Sequence, residues 1–153
     1  MKLTAYFDRD KSGIDGFFTL QQVIDGKATK LFERLPARSG QRGFTHIEWV
    51  RGKSAIPFGP FRLWTDSIKP EKKASFDGIG EFFPISNGDN KRLIQGTGTA
   101  QRWDIGLHRE NQYPGSAGCI VLLDNRPDLD DKVTRLFAFL RSQEVPYIEL
   151  NVL

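Results

Sequence analysis

Apolar residues recur along this chain in short runs broken by turn signals, with little sign of long amphipathic stretches. Residues 31–32, 45–50, 58–64, 81–85 and 102–108 read as strands. Between them, Ser39-Gly40, Arg51-Gly52, Asp77-Gly78, Asn87-Gly88 and Gly96-Thr97-Gly98 read as turns or loops. Within 103–108 the pattern alternates, with Trp103, Ile105 and Leu107 on one face and Asp104, Gly106 and His108 on the other. One segment has a helical period. In 128–141, Leu129, Val133, Leu136, Phe137 and Leu140 fall at i, i+4, i+7, i+8 and i+11. Pro127 precedes it, Asp128, Asp130 and Asp131 crowd its first turn, and Arg141 closes it, as the helix dipole favours. The chain ends with Ile148, Leu150 and Val152 alternating with Tyr147, Glu149 and Asn151, a terminal strand with one buried face. The expectation is a mostly β fold with one C-terminal helix and few other, short helices.

Composition adds bounds. The 153 residues predict a single domain over 1–153. With 39% hydrophobic and 27% charged residues the balance is globular, and 15 glycines and 8 prolines favour β structure. No apolar run reaches the roughly 18 residues of a membrane span. Cys119 is the only cysteine, which excludes an internal disulfide and a multi-cysteine zinc site. The first residues, MKLTAYFDRDKSG, place acids where a signal peptide has its apolar core, so no signal peptide is expected. Net charge is +3 and the pI is near 9.1. Between 27 and 53 stand Lys27, Lys30, Arg34, Arg38, Arg42, Arg51 and Lys53 against only Glu33 and Glu48. That stretch is either a solvated face or a seat for an anionic polymer.

The most informative stretch is WDIGLHRENQYPGSAGCIVLL, 103–123. His108 is expected to leave a strand end on its polar face, open to solvent and substrate. Eleven positions on, Cys119 stands where the small-residue turn Ser116-Ala117-Gly118 meets the apolar run 120–123. Attack by cysteine on a carbonyl needs a thiolate, a base and donors for the oxyanion. His108 can take and return the proton. Gly118 permits a tight turn that aims its N–H and that of Cys119 together, and Ser116 can hold the turn's shape. A cysteine in such a place also reads as a small buried hydrophobe.

A His at a strand end followed by S-x-G-C-[IV] and a hydrophobic run resembles the catalytic motif of the L,D-transpeptidase (YkuD-like) family. Upstream, SGQRG at 39–43 and GKSAIPFGPFRLW at 52–64 are similar to that family's S-G stretch and its T-P-x-G-x-[FY] element. The likeness covers about residues 20–153. It implies a β-sandwich or barrel-like fold, no cofactor and no metal, and peptidoglycan stem peptides as substrate. Cys119 would attack the carbonyl before a D-residue. An amine would then complete transpeptidation, or water would give carboxypeptidase activity. It also implies that a backbone carbonyl steadies the His108 ring. Asp104, about 13 Å from His108 along a strand, is too far to do so.

The chain departs from the pattern in three places. Arg109 follows the His where Gly is usual, Ala117 stands where His is common, and Val121 replaces an Arg expected to help hold substrate. Arg109 and Arg102 are the candidates to take over that role. The divergence looks more like relatives that include exported cell-wall-cutting toxins. Action in the periplasm or cell wall is therefore expected; the export route is left open, with effector or phage export as candidates. No oligomeric state follows.

Other signals point to structure. Asp8, Asp10, Ser12 and Gly13 have the spacing of a calcium loop, but Thr19 stands where its bidentate Glu belongs, so 8–19 reads as a polar turn. The glycine-rich 95–100 stretch lacks phosphate-loop spacing. His46 reads as a core or surface residue, and no short zinc-ligand spacing joins it to His108 or Cys119. Trp49, Trp64, Trp103, Phe17-Phe18 and Phe82-Phe83 are read first as core. The alternative to an enzyme is a non-catalytic module on the same fold that holds cell wall or nucleic acid through the 27–53 stretch. Nucleic acid is not expected of the enzyme.

Overall fold

The computed structural model describes residues 2–10, 15–40, 54–66, 81–110 and 118–153. Its elements are β1 (Lys2–Arg9), β2 (Asp15–Ile24), β3 (Lys27–Ser39), β4 (Gly59–Trp64), β5 (Phe82–Ser86), β6 (Leu93–Gln95), β7 (Gln101–Trp103), β8 (Gly106–Arg109), β9 (Ile120–Leu122), α1 (Pro127–Arg141) and β10 (Tyr147–Val152). Eight strands close a barrel in the order β1-β10-β4-β5-β8-β9-β3-β2, and β6 and β7 form a separate two-stranded sheet. The β1–β10 and β8–β9 pairs are parallel and the other pairs antiparallel. A mostly β, barrel-like fold with one C-terminal helix is thus what the described residues form.

Period-two burial explains the barrel. Ala5 and Phe7 of β1, Phe18 and Leu20 of β2, Leu107 of β8, Ile120 and Leu122 of β9 and Leu150 of β10 share one apolar core. Along β10, buried Ile148, Leu150 and Val152 alternate with more exposed residues, as the terminal pattern predicts. Helix α1 starts at Pro127, with Asp128 and Asp130 in its first turn and Arg141 in its last. Its stripe of Val133, Leu136, Phe137 and Leu140 joins the barrel core, and Phe137 packs on Phe83 with ring centroids 5.0 Å apart. An ion pair from Arg141 to Glu81 ties the helix end to the start of β5.

Three sequence expectations change. The strand expected over 102–108 is two strands. Asp104 breaks it in a left-handed conformation (φ +58°) that Asp tolerates better than most residues. Its N–H donates to the Arg92 carbonyl and its carboxylate is gripped twice by the Arg92 guanidinium, at 2.8 and 3.0 Å. Trp103 consequently lies on the β6–β7 hairpin, 49% exposed and outside the core, whereas Trp64 is buried. Of the segment with calcium-like spacing, Asp8–Arg9 and Asp15–Thr19 are strand rather than turn, and Ser12 and Gly13 lie outside the described residues. Asp8 pairs with Phe17, and Thr19 with Tyr6, across β1 and β2. The strand expected at 45–50, with His46 and Trp49, and the turns 51–52 and 77–78 lie outside the described residues.

Burial on both sides of the sheet positions the candidate site. Every residue of β5 is buried, with Phe83 and Ile85 in the barrel core and Phe82, Pro84 and Ser86 on the opposite face. A continuous apolar run such as 82–85 is what such double burial requires, and the buried Ser86 hydroxyl is satisfied by Trp64 Nε1 and the Gly88 carbonyl.

Candidate active site

Register brings the histidine and the cysteine to one face. Phe82 stands opposite His108 in the β5–β8 pair, and His108 stands opposite Val121 in the parallel β8–β9 pair. Cys119 lies two residues before Val121, so its side chain leaves the same side of the sheet as the imidazole. Leu107 and Ile120 point the other way, into the barrel. Phe82, Cys119 and Val121 form a small apolar cluster of their own.

The His108 ring is stacked on Phe82 (centroids 5.9 Å apart, planes at 19°) and is 6% exposed. The expectation that His108 opens to solvent is therefore corrected: its face of the sheet is covered. Its Nδ1 lies 2.6 Å from the Arg109 carbonyl. Since a carbonyl can only accept, Nδ1 carries the proton, and the Nε2 lone pair is left as the base. Burial lowers the ring's pKa below its ordinary 6.5, and the bond to Arg109 partly restores it. The imidazole is neutral at pH 7.

Cys119 is 7% exposed. Burial pushes its thiol up to about 11; the Gly106 N–H pulls it down, while the Asp104 carboxylate adds to the rise. Sγ also lies 3.8 Å from the Asp104 carbonyl, a weak thiol bond. The left-handed turn at Asp104 thus delivers both a carbonyl and, two residues later, an amide to the sulfur. In this arrangement the pair is neutral thiol and neutral imidazole, so a thiolate has to be made by proton transfer when it is needed.

Two glycines are required here. A Cβ on Gly106 would lie 2.5 Å from the Phe82 ring and 2.7 Å from the Phe83 carbonyl, so only Gly lets Phe82 lie across β8 beside His108. Gly118 has φ +108°, and a Cβ there would meet Arg102 Nη1 at 2.9 Å and the Ser54 carbonyl at 3.0 Å. Its carbonyl accepts a bond from Ser39 Oγ at 3.0 Å, and the same hydroxyl accepts the Ile56 N–H at 2.8 Å. Ser39 is fully buried. The three sequence segments that carry the resemblance, at Ser39, Ile56 and Gly118, therefore meet in one hydrogen-bonded knot beside Cys119.

The two substitute cations separate. Arg102 is brought to the edge of the site. Its Nη1 donates to the Ser54 and Ala55 carbonyls at 2.9 and 2.6 Å, which holds that segment against Gly118, and burial lowers its pKa. Arg109 is turned away. It sits on the opposite face from His108, bonded to Asp124, Asp130 and Thr134, with its guanidinium over Phe137. Its place in the fold is a clasp between β8 and α1, away from the face that carries His108 and Cys119. Ser116 and Ala117, expected to support the turn, lie outside the described residues. Sequence reasoning gave Ser39 and Gly106 no role and read Phe82 as core. A glycine inside a strand two positions before His108 was the available signal for the close approach.

The basic stretch is only partly a free cationic face. Lys30 pairs with Glu33 at 3.2 Å, Arg34 lies over the Phe17 ring, and Arg38 lies within 3.9 Å of both Asp15 and Glu110. Arg42, Arg51 and Lys53 lie outside the described residues. Among the described residues no group of three His, Cys, Asp or Glu side chains could hold a metal ion, and no helix is long and apolar enough to cross a membrane.

No family model matches the sequence, and no curated protein matches it. In fold, the chain is similar to the crystal structure of the helical cell shape determining protein Pgp2 from Campylobacter jejuni. The match covers 99% of this chain and 48% of that one, with a TM-score of 0.52 and 15% sequence identity. The chain spans about half the length of that protein. At this identity the likeness is one of fold alone.

Proposed function

We propose that this chain is a cysteine acyl-transfer enzyme acting on peptidoglycan stem peptides, as an L,D-transpeptidase or L,D-carboxypeptidase. The observation that carries the proposal is the knot of Ser39, Ile56 and Gly118, which unites three separate segments of the resemblance next to Cys119. The shared face of Cys119 and His108 supports it, as does the fold likeness to a cell-shape determining protein.

In this reading the Cys119 proton passes to His108 Nε2 as sulfur bonds to the carbonyl carbon before a D-residue. The imidazolium formed is steadied at Nδ1 by the Arg109 carbonyl. The oxyanion is met by backbone N–H groups of the 118–119 turn. Collapse breaks the C–N bond, His108 returns the proton to the departing amine, and a thioester remains. A second amine or water then attacks that thioester, with His108 again taking the proton; collapse breaks the C–S bond, and His108 returns the proton to the Cys119 sulfur. The place of action is the periplasm or cell wall.

Digestion of purified muropeptides with product mass analysis reports the bond cut and the acceptor used. A β-lactam-type acylating agent should leave an adduct on Cys119 in the wild type and none in Cys119→Ala. In His108→Ala it should form at least about 100-fold more slowly. No adduct on the wild-type thiol, or equal labelling without His108, would remove the enzyme.

The burial of the sulfur favours a second reading, a non-catalytic module that binds an anionic polymer of the cell wall or a nucleic acid. That reading expects binding that weakens steeply with salt and survives Cys119→Ala.

A further inference from the structure

Arg9 ends β1 with no counter-charge among the described residues. Its Nη1 donates to the Ile56 carbonyl, and the Phe58 ring lies over the guanidinium, with Cζ 4.3 Å from the ring centroid. Nε and Nη2 are buried and have no hydrogen-bond partner among the described residues. These two nitrogens form one edge of the guanidinium, spaced to hold both oxygens of a carboxylate. No described carboxylate lies within ion-pair distance of Arg9; its charged neighbour is Arg102, a second cation. Burial first, and then the Arg102 charge, bring Arg9 down to about 10. A partly buried cation with an empty donor edge beside another cation is a place that gains from an incoming anion.

Phe58 also lines a cavity of about 900 Å³ between the 57–61 segment and the β6–β7 hairpin. None of the lining residues is charged. One wall is stiff. Asn87 exchanges bonds with the Gln95 backbone at 2.8 and 3.0 Å, and the Gln95 amide donates to the Gly96, Gly98 and Ala100 carbonyls. Phe58 is 55% exposed, so its ring can swing outward.

We propose that this cavity is a subsite for a carboxylate-bearing peptide, whose carboxylate takes the Nε and Nη2 edge of Arg9 when the Phe58 ring swings aside. The peptide class rests on the acyl-transfer reading, whereas the preference for an anion rests on Arg9. The site lies one segment away from the candidate nucleophile, because Ser54, Ala55 and Ile56 carry both the Arg9 and the Arg102 contacts and Ser54 abuts Gly118.

The test is an amide NMR titration of the Cys119→Ala chain, which prevents turnover, with an N-acetylated tripeptide ending in D-alanine. The peptide is used as the free acid and as its C-terminal amide. The acid should bind at least ten-fold more tightly and shift signals at Phe58 and 96–100. Arg9→Gln should reduce the acid to the affinity of the amide and leave the amide unchanged. Arg9→Lys should keep only part of the preference, since it retains the charge and loses the fork. Should Arg9→Gln fail to fold, Phe58→Ala answers the same question, because uncovering Arg9 should raise the acid-to-amide ratio. Equal binding of acid and amide, no binding of either, a preference that survives Arg9→Gln, or an unchanged ratio in Phe58→Ala would overturn the proposal. Acid preference with no muropeptide turnover would remove the enzyme and keep the subsite; the reverse result would do the opposite.

Discussion

Ser39 and Gly118 are joined by a buried hydrogen bond of 3.0 Å from hydroxyl to carbonyl, and the hydroxyl in turn accepts the Ile56 N–H at 2.8 Å. In a trans peptide the N–H points opposite to the carbonyl, so Ser39 also sets the direction of the Cys119 N–H, away from itself. A single small side chain therefore orients the backbone next to the candidate nucleophile and anchors the segment that leads into β4.

Ser39→Ala should be strongly destabilising for so small a change. It removes both of the hydroxyl's buried bonds to backbone groups, each at about 1–3 kcal/mol. In a chain of this size each kcal/mol lowers the melting temperature by about 2–4 °C. Thermal unfolding should thus fall by at least about 4 °C, and acylation of Cys119 measured well below the melting point should slow. Unfolding equal to wild type would mean that the knot contributes nothing.

Gly118→Ala tests the turn from the other side. The substitution puts a Cβ into a backbone conformation with φ +108° and within 2.9 Å of Arg102 Nη1. Strain of this kind costs about 1–3 kcal/mol before any clash is counted. Gly88→Ala is the control, since nothing lies within 4 Å of a Cβ there. Urea denaturation should separate the two clearly, with Gly118→Ala the less stable; equal midpoints would contradict the required left-handed turn.

Much of this architecture was legible where periodicity is strong. The five buried positions of α1 and the alternation of β10 need only local pattern to be read. By contrast, β1 and β2 were obscured. In β2 the inward row begins with Gly16 while the outward row carries Phe17, which blurs the contrast between faces. The Cys119 and His108 types were visible, but their common face depends on the parallel register of β8 with β9, which no local pattern encodes. The burial of His108 was hinted at only by the continuous apolar run of its neighbour β5. Arg9 gave no signal at all, because a cation at a strand end looks the same whether solvated or held under an aromatic ring.

The pH dependence of stability should have two limbs with opposite signs. The Cys119 thiol ionises at about 11 when folded and near 9 when unfolded, so the unfolded chain releases that proton first. Its contribution is complete below about pH 9 and falls as pH rises from there, by at most about 1.4 kcal/mol per unit. His108 is held neutral by burial, so the unfolded chain takes up its proton first as pH falls below 6.5. Its contribution is present above that value and is lost on acidification. Unfolding free energy measured from pH 5 to 10 should show both declines. Cys119→Ala should flatten the alkaline limb and His108→Gln the acid one; a limb unchanged by its own substitution would assign that titration elsewhere.

The last expectation concerns Arg109, whose two roles make opposite forecasts. A residue that holds substrate would, when removed, weaken binding and leave the fold intact. The contacts place Arg109 instead between Asp124, Asp130 and Thr134, over the Phe137 ring, as a clasp from β8 to α1. Half-buried guanidinium contacts with two carboxylates exceed the small value of an exposed pair, so Arg109→Ala should lower stability by about 1–2 kcal/mol. The loss should shrink in a background that already carries Asp130→Ala, because the two substitutions remove the same bond. Acyl-adduct formation at Cys119, measured where both proteins are folded, should be unchanged within about two-fold, since the side chain lies on the far face of β8. A full-strength fold with impaired acylation would return Arg109 to the substrate side.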